Sequence, residues 1–134
     1  MTDSTADTSA TRPIALVGHC GPDTFMLRSA ITRAVPDAAI ELVNDGDALQ
    51  DHISRGAVLL VNRELDGHFS TRSGIELIAI VAEQHPASVA MLVSNFEDAQ
   101  ADAVAAGALP GFGKSQLYDE LTTERLRSAA MSAS

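Results

Sequence analysis

Along the chain, short runs of consecutive apolar residues alternate with longer stretches in which apolar positions recur every three or four residues. Pro13-Ile-Ala-Leu-Val17 is the first short run, and Gly18 ends it. Phe25, Leu27, Ile31 and Val35 then fall at helical spacing, which predicts a helix over 24–35 with Asp23 as its cap. Ile40-Glu-Leu-Val43 reads as a second strand, and Asn44-Asp-Gly-Asp47 opens a helix that runs to Ser54 and stops at Gly56. Ala57-Val-Leu-Leu-Val61 is apolar throughout, as expected of the buried centre of a parallel sheet. After a polar stretch over 62–72, Ser73-Gly-Ile-Glu76 is a capping box for a helix to about Gln84, broken by Pro86. Ser88–Val93 predicts a fourth strand. Asn95-Phe-Glu-Asp98 starts a helix that ends by Gly107, and Leu109–Gly113 holds a short fifth strand. Ser115 is placed to cap a last helix over 117–129.

Strands alternating with helices in this way predict an α/β domain, a doubly wound five-stranded parallel sheet with helices on both faces. Its crossovers are right-handed. The domain spans 13–130. Residues 1–12, rich in Thr, Ser, Asp and Ala, read as a disordered tail, and 131–134 as a disordered C-terminus. In sheets of this kind ligands sit beyond the carboxyl ends of the strands. The loops to search are therefore 18–23, 62–73, 94–97 and 113–115.

Charge and composition narrow the chemistry. Nine Lys+Arg stand against 18 Asp+Glu, a net charge of −9, and the cations are scattered singly. A nucleic-acid backbone would be repelled. Tryptophan is absent and aromatics are 4%, which argues against base-stacking platforms. No apolar run is long enough to cross a bilayer, and no secretory signal opens the chain, so a cytoplasmic location is expected. A single cysteine, Cys20, excludes an internal disulfide and paired-cysteine zinc sites, and is read as a small buried hydrophobe. His19, Cys20 and Asp23 share one loop but supply too few ligands for a soft-metal site, so no metal or other cofactor is expected. His52, His68 and His85 are expected in solvent. Ala108-Leu-Pro-Gly-Phe-Gly-Lys-Ser115 loosely fits a phosphate-binding loop, but a helix precedes it and only 19 residues follow Ser115. Ser94 has no activating His or acid around it, so a hydrolase, and an enzyme in general, is not expected.

Several segments, read in order, carry a resemblance over 13–127. Val58-Leu-Leu-Val-Asn62 resembles the central strand of the receiver domains of bacterial response regulators. Gly74-Ile-Glu-Leu77 resembles the start of the helix that follows it. Met91-Leu-Val-Ser94 resembles the strand ending in Ser or Thr, and Ala105-Ala-Gly-Ala108 with Gly111-Phe-Gly-Lys114 the segment ending in the family's lysine. The resemblance implies the flavodoxin-like (βα)5 fold, an acidic pair that binds Mg²⁺ with a phospho-accepting aspartate, and a hydroxyl and a lysine that hold the phosphoryl oxygens. Ser94 and Lys114 match. Asn62 stands at the aspartate, Gly18 and His19 stand at the acidic pair, and the loop after Asn62 is longer than usual. Gly111 falls at the switch aromatic of the fifth strand, with Phe112 beside it.

An amide is no nucleophile toward phosphoryl, and Mg²⁺ prefers hard oxygen ligands. The expectation is a pseudo-receiver, in two-component signal transduction, working by phosphorylation-independent protein–protein interaction. Its partner is another signalling protein or a second copy, and the family's contact surface corresponds to 98–129. The receiver uses up the 134 residues, so no output domain is expected on this chain. Asn62 either mimics a phosphorylation state by bonding Lys114 or is satisfied by backbone. Lys114 bridges Asn62, Glu64 or Asp66, or is solvated. Two other readings stay open: a small-ligand or anion sensor at the strand ends, and a receiver phosphorylated in unusual geometry on a displaced acid, Asp23, Glu64 or Asp66.

Overall fold

A computed structural model describes residues 11–132. Five short strands, β1 (Ile14–Val17), β2 (Ile40–Val43), β3 (Val58–Asn62), β4 (Val89–Val93) and β5 (Leu109–Phe112), form one sheet. Their order is β2-β1-β3-β4-β5, and every pair is parallel. Five helices connect or follow them: α1 (Gly21–Ala34), α2 (Gly46–Ser54), α3 (Gly74–Gln84), α4 (Glu97–Ala105) and α5 (Glu120–Ala130). The expected doubly wound architecture is the one found.

Alternation along the strands divides the core into two halves. Ile14, Leu16, Val58, Leu60, Met91, Val93 and Phe112 pack against Leu27, Ile31, Leu126 and Ala129 of α1 and α5. Ala15, Val17, Leu59, Val61, Ala90 and Leu92 pack against α2, α3 and α4 through Leu49, Ile53, Leu77, Val81 and Ala103. Buried on both faces, β1 and β3 have no polar position until their carboxyl ends, where Gly18 and Asn62 leave the sheet side by side. Asp45 and Ser73 cap α2 and α3, each accepting from the amide three residues on, at 2.8 and 3.1 Å.

Local differences from the sequence reading have physical causes. Helix α1 starts at Gly21, because Pro22 is tolerated in a first turn. Cys20 becomes the N-cap, and Asp23 falls in the first turn rather than at the cap. Ser115 does not cap the last helix. Its amide and hydroxyl both donate to Asn95 Oδ1, at 3.1 and 3.0 Å, and a 3₁₀ turn over Lys114–Gln116 precedes α5. Cys20 is exposed rather than buried. His52 is buried rather than solvated, because its Nδ1 lies 2.8 Å from the Ala48 carbonyl. Packing begins at Arg12, one residue before Pro13. The Arg12 guanidinium donates to the Gly56 and Ser132 carbonyls, which also ties Ser132 to the domain. Residues 1–10 and 133–134 of the expected disordered ends lie outside the described residues.

Candidate functional site

The carboxyl ends of β1, β3 and β4 and the start of the 3₁₀ turn bring Gly18, Asn62, Ser94 and Lys114 to one end of the sheet. The long loop after Asn62 decides what that end looks like. It folds back as a tight hairpin, with Leu65 N bonded to Arg72 O at 2.8 Å and Glu64 bridged to Ser73. It then lies across the strand ends: Asp66 N donates to Gly18 O at 3.0 Å, His68 N to Asn44 O at 2.8 Å, and Gly46 N to His68 O at 3.1 Å. Two glycines allow this close approach. Gly18 has φ +73°, and a Cβ there would lie 2.7 Å from Leu65 Cδ2 and 3.1 Å from Leu65 Cα. A Cβ on Gly67, at φ +112°, would meet Asn44 O at 2.3 Å.

Asn62 sits under this loop. Its Nδ2 donates to Gly18 O at 3.0 Å and to Glu64 O at 2.8 Å. Both partners are carbonyls, which only accept, so the NH₂ of the amide must face them. Asn62 is thus held by backbone, and not by Lys114.

Lys114 instead pairs with Asp23. The two side chains, 31% and 21% exposed, form a hydrogen-bonded ion pair across 91 residues of sequence. The Lys114 hydrogen bond holds the Asp23 carboxyl below its ordinary range, and the Cys20 thiol, which also donates to it, acts in the same direction. Glu64 and Asp66, the other candidate partners for Lys114, are exposed.

His19 points inward. It is buried, and its Nε2 lies 2.8 Å from Leu60 O. The carbonyl only accepts, so Nε2 carries the proton. Burial, with a smaller contribution from the nearby Lys114 charge and against the Leu60 carbonyl and Asp23, lowers the imidazole pKa from 6.5 to about 4. At neutral pH the ring is uncharged. Ser94 is also buried, and its Oγ accepts from the Phe96 amide at 3.1 Å.

Between the folded-back loop and the β4–α4 turn lies an open cleft of about 930 Å³. Asn62, Ser94 and Lys114 line it, together with Arg63, Arg72, Asn95 and Phe96. The Arg63 guanidinium lies over the Phe96 ring, 5.0 Å from its centroid, and joins the two walls. Arg63, Arg72 and Asn95 were not among the sequence candidates. The extra loop length was the one available signal for the two arginines. Nothing local marks Asn95, whose role depends on the distant Ser115.

These positions do not fit the divalent cation that the resemblance implies. Gly18 offers no side chain, His19 a buried neutral nitrogen, and Asn62 the donor end of an amide. Asp23 is already paired with Lys114. Among the described residues, no group of three or more His, Cys, Asp or Glu side chains stands close enough together to hold a metal ion.

No family model and no curated protein matches the sequence. Solved structures do match. A response regulator from Thermotoga maritima superposes with TM-score 0.69 at 17% identity, over 91% of this chain and 99% of that one. The signal receiver domain of a DNA-binding response regulator from Colwellia psychrerythraea gives 0.66 at 19% identity, over 87% and 95%. The beryllofluoride-activated NtrC4 receiver domain dimer gives 0.64 at 15%, over 86% and 95%. The fold is the receiver fold. At these identities the likeness is one of architecture. Among the described residues no helix is long and apolar enough to cross a membrane.

Proposed function

We propose that this receiver-fold domain is a pseudo-receiver that signals by protein–protein contact without being phosphorylated. The observation that carries the reading is the loop docked on the end of β1. Its backbone occupies the space above Gly18 where an acidic side chain would project, and Asn62 holds it there through the Gly18 and Glu64 carbonyls. Asn62 is thereby committed to backbone, as His19 is to the Leu60 carbonyl and Lys114 to Asp23. What remains for function is surface. The region 98–129 carries exposed Val104, Leu109, Tyr118 and Leu121, apolar area suited to a second signalling protein or a second copy of the chain. The net charge of −9 disfavours nucleic acid as that partner. The proposed setting is the bacterial cytoplasm.

An amide NMR titration with Mg²⁺, then with Mg²⁺ and beryllofluoride, tests this. Spectra unchanged at Asn62, Ser94 and Lys114 are expected. Saturable shifts there would overturn the reading and favour a displaced acceptor among Asp23, Glu64 and Asp66.

One observation favours a second reading, a small-ligand sensor. Arg63 and Arg72 line a cleft whose walls also include Leu65, Ile75 and Val93, a combination suited to a small anion with an apolar body. Stabilisation in a thermal-shift screen of anionic metabolites, lost in R72A, would support it.

A further inference from the structure

Strand β5 is irregular. Met91 pairs with Leu109 and Val93 with Phe112, so β5 takes three steps where β4 takes two, and the register shifts between them. Such a bulge leaves backbone groups without ladder partners. Pro110 has no N–H to orphan. Gly111 is buried and cannot be left unpaired.

The side chain of Gln100, from α4, fills the bulge. Its Oε1 accepts from Gly111 N at 3.2 Å. Its Nε2 faces the carbonyls of Leu92, Ser94 and Phe112 at 3.0, 3.1 and 3.3 Å. One amide therefore ties α4, the end of β4 and β5 together. From the other side, Arg125 of α5 donates to Gly111 O. Both backbone groups of Gly111 are thus held by side chains, one from each flanking helix. The glycine is required: a Cβ at 111 would lie 2.1 Å from Leu92 O and 2.9 Å from Gln100 Oε1. This is also the position at which the resemblance would set a switching aromatic, and the space inside it is taken by the Gln100 amide.

We propose that Gln100 is a clamp that holds α4, the end of β4 and β5 in one arrangement, so that the face formed by α4, β5 and α5 does not change with the state of the strand-end cleft. The proposal rests on the phosphorylation-independent reading and states its consequence for regulation: the partner surface is permanently set. Motion of Ser94 relative to β5 would have to break the part-buried bonds that Gln100 makes to Leu92, Ser94, Gly111 and Phe112, at a cost for every freed group that stays out of water.

The test is amide exchange and relaxation dispersion on the full chain. In the wild type, residues 109–113 show no microsecond–millisecond exchange. In Q100M, which keeps the volume and loses the amide, the Gly111 and Ser94 amides exchange 10- to 100-fold faster relative to those of Leu16 and Leu60. I53V, in α2 on the same face but toward the β2 edge of the sheet, far from β5, serves as the control and speeds all four together. Dispersion at 109–113 in the wild type overturns the clamp, and so does a Q100M variant whose Gly111-to-Leu16 rate ratio is unchanged. If Q100M does not fold, the wild-type dispersion alone decides. Beryllofluoride shifts confined to Asn62, Ser94 and Lys114 would sink the pseudo-receiver reading and leave the clamp standing, whereas shifts that spread to 109–113 would sink both.

Discussion

Asn62→Asp is the substitution that would nominally rebuild a phospho-acceptor, and the structure says it should damage the protein instead. The amide NH₂ makes two hydrogen bonds, to Gly18 O at 3.0 Å and Glu64 O at 2.8 Å. A carboxylate can make neither. Two lost bonds cost about 1 kcal/mol each, and turning an oxyanion toward two carbonyl oxygens in a half-buried site adds about 1 kcal/mol or more. The total is about 3 kcal/mol. With an unfolding entropy of about 2.1 cal/mol/K per residue, a chain of 134 residues loses about 11 °C in Tm. Asn62→Ala separates the two contributions, because it removes the bonds without adding charge, and should cost about 2 kcal/mol. The order is therefore wild type, then Asn62→Ala, then Asn62→Asp at pH 7.

The pH dependence of the variant carries a second check. The two carbonyls disfavour the ionised form, so the introduced carboxyl titrates above its unfolded value of about 4. The folded state then holds more protons than the unfolded one over that interval, and the deficit grows as pH rises through it. Urea melts of the three proteins between pH 4 and 8 measure all of this. The reasoning is refuted if Asn62→Asp is as stable as wild type at pH 7, if it is more stable than Asn62→Ala, or if Mg²⁺ stabilises it.

Other expectations follow from the same geometry. Gly18→Ala should cost about 2–4 kcal/mol in urea, from the left-handed backbone and the contact with Leu65, while Gly21→Ala, with open space around it, should be neutral or slightly stabilising. His19 should titrate near 4 by NMR. Because its folded value lies below 6.5, its contribution is fully present above pH 6.5 and is lost as pH falls toward 4, by about 3 kcal/mol; His19→Gln should flatten that part of the stability curve. Asp23→Asn should cost about 1–2 kcal/mol at pH 7 by leaving Lys114 half-buried without its partner. Since Lys114 lowers the Asp23 pKa, the gap between this variant and wild type should be full above the ordinary carboxylate range and close as pH falls through the depressed value.

The strands were legible because β1 and β3 are buried on both faces, and such strands must be apolar without interruption. The helix starts at Asp45 and Ser73 were legible because capping is local chemistry. The partner of Lys114 was not. It depends on Asp23 lying in the first turn of α1 rather than at its cap, a shift of a few residues caused by a proline, and on a contact spanning 91 residues. The burial of His52 escaped because an Ala48 carbonyl one turn earlier satisfies a ring nitrogen, which no hydropathy pattern records. For the loop after Asn62, the extra length was visible but its destination was not. Glycines at 18 and 67 are compatible with many turns, and only the folded backbone shows that both are needed for the same docking.

The electrostatics of the strand ends follow one logic. An acidic cluster at the end of a parallel sheet brings like charges together and depends on a cation to offset them. Here each group is neutral or neutralised within the chain: Asn62 by two carbonyls, His19 by burial as the free base, Lys114 by Asp23. Such a site needs no ion to be stable. A two-state switch requires an effector that binds one state better than the other. On the phosphorylation-independent reading proposed above, the loop seated over Gly18 leaves a divalent cation nothing differential to bind, and Gln100 in the bulge of β5 opposes a second state. On that reading the sheet is suited to a fixed surface, and Gly18, His19, Asn62 and Gly111 are parts of one arrangement.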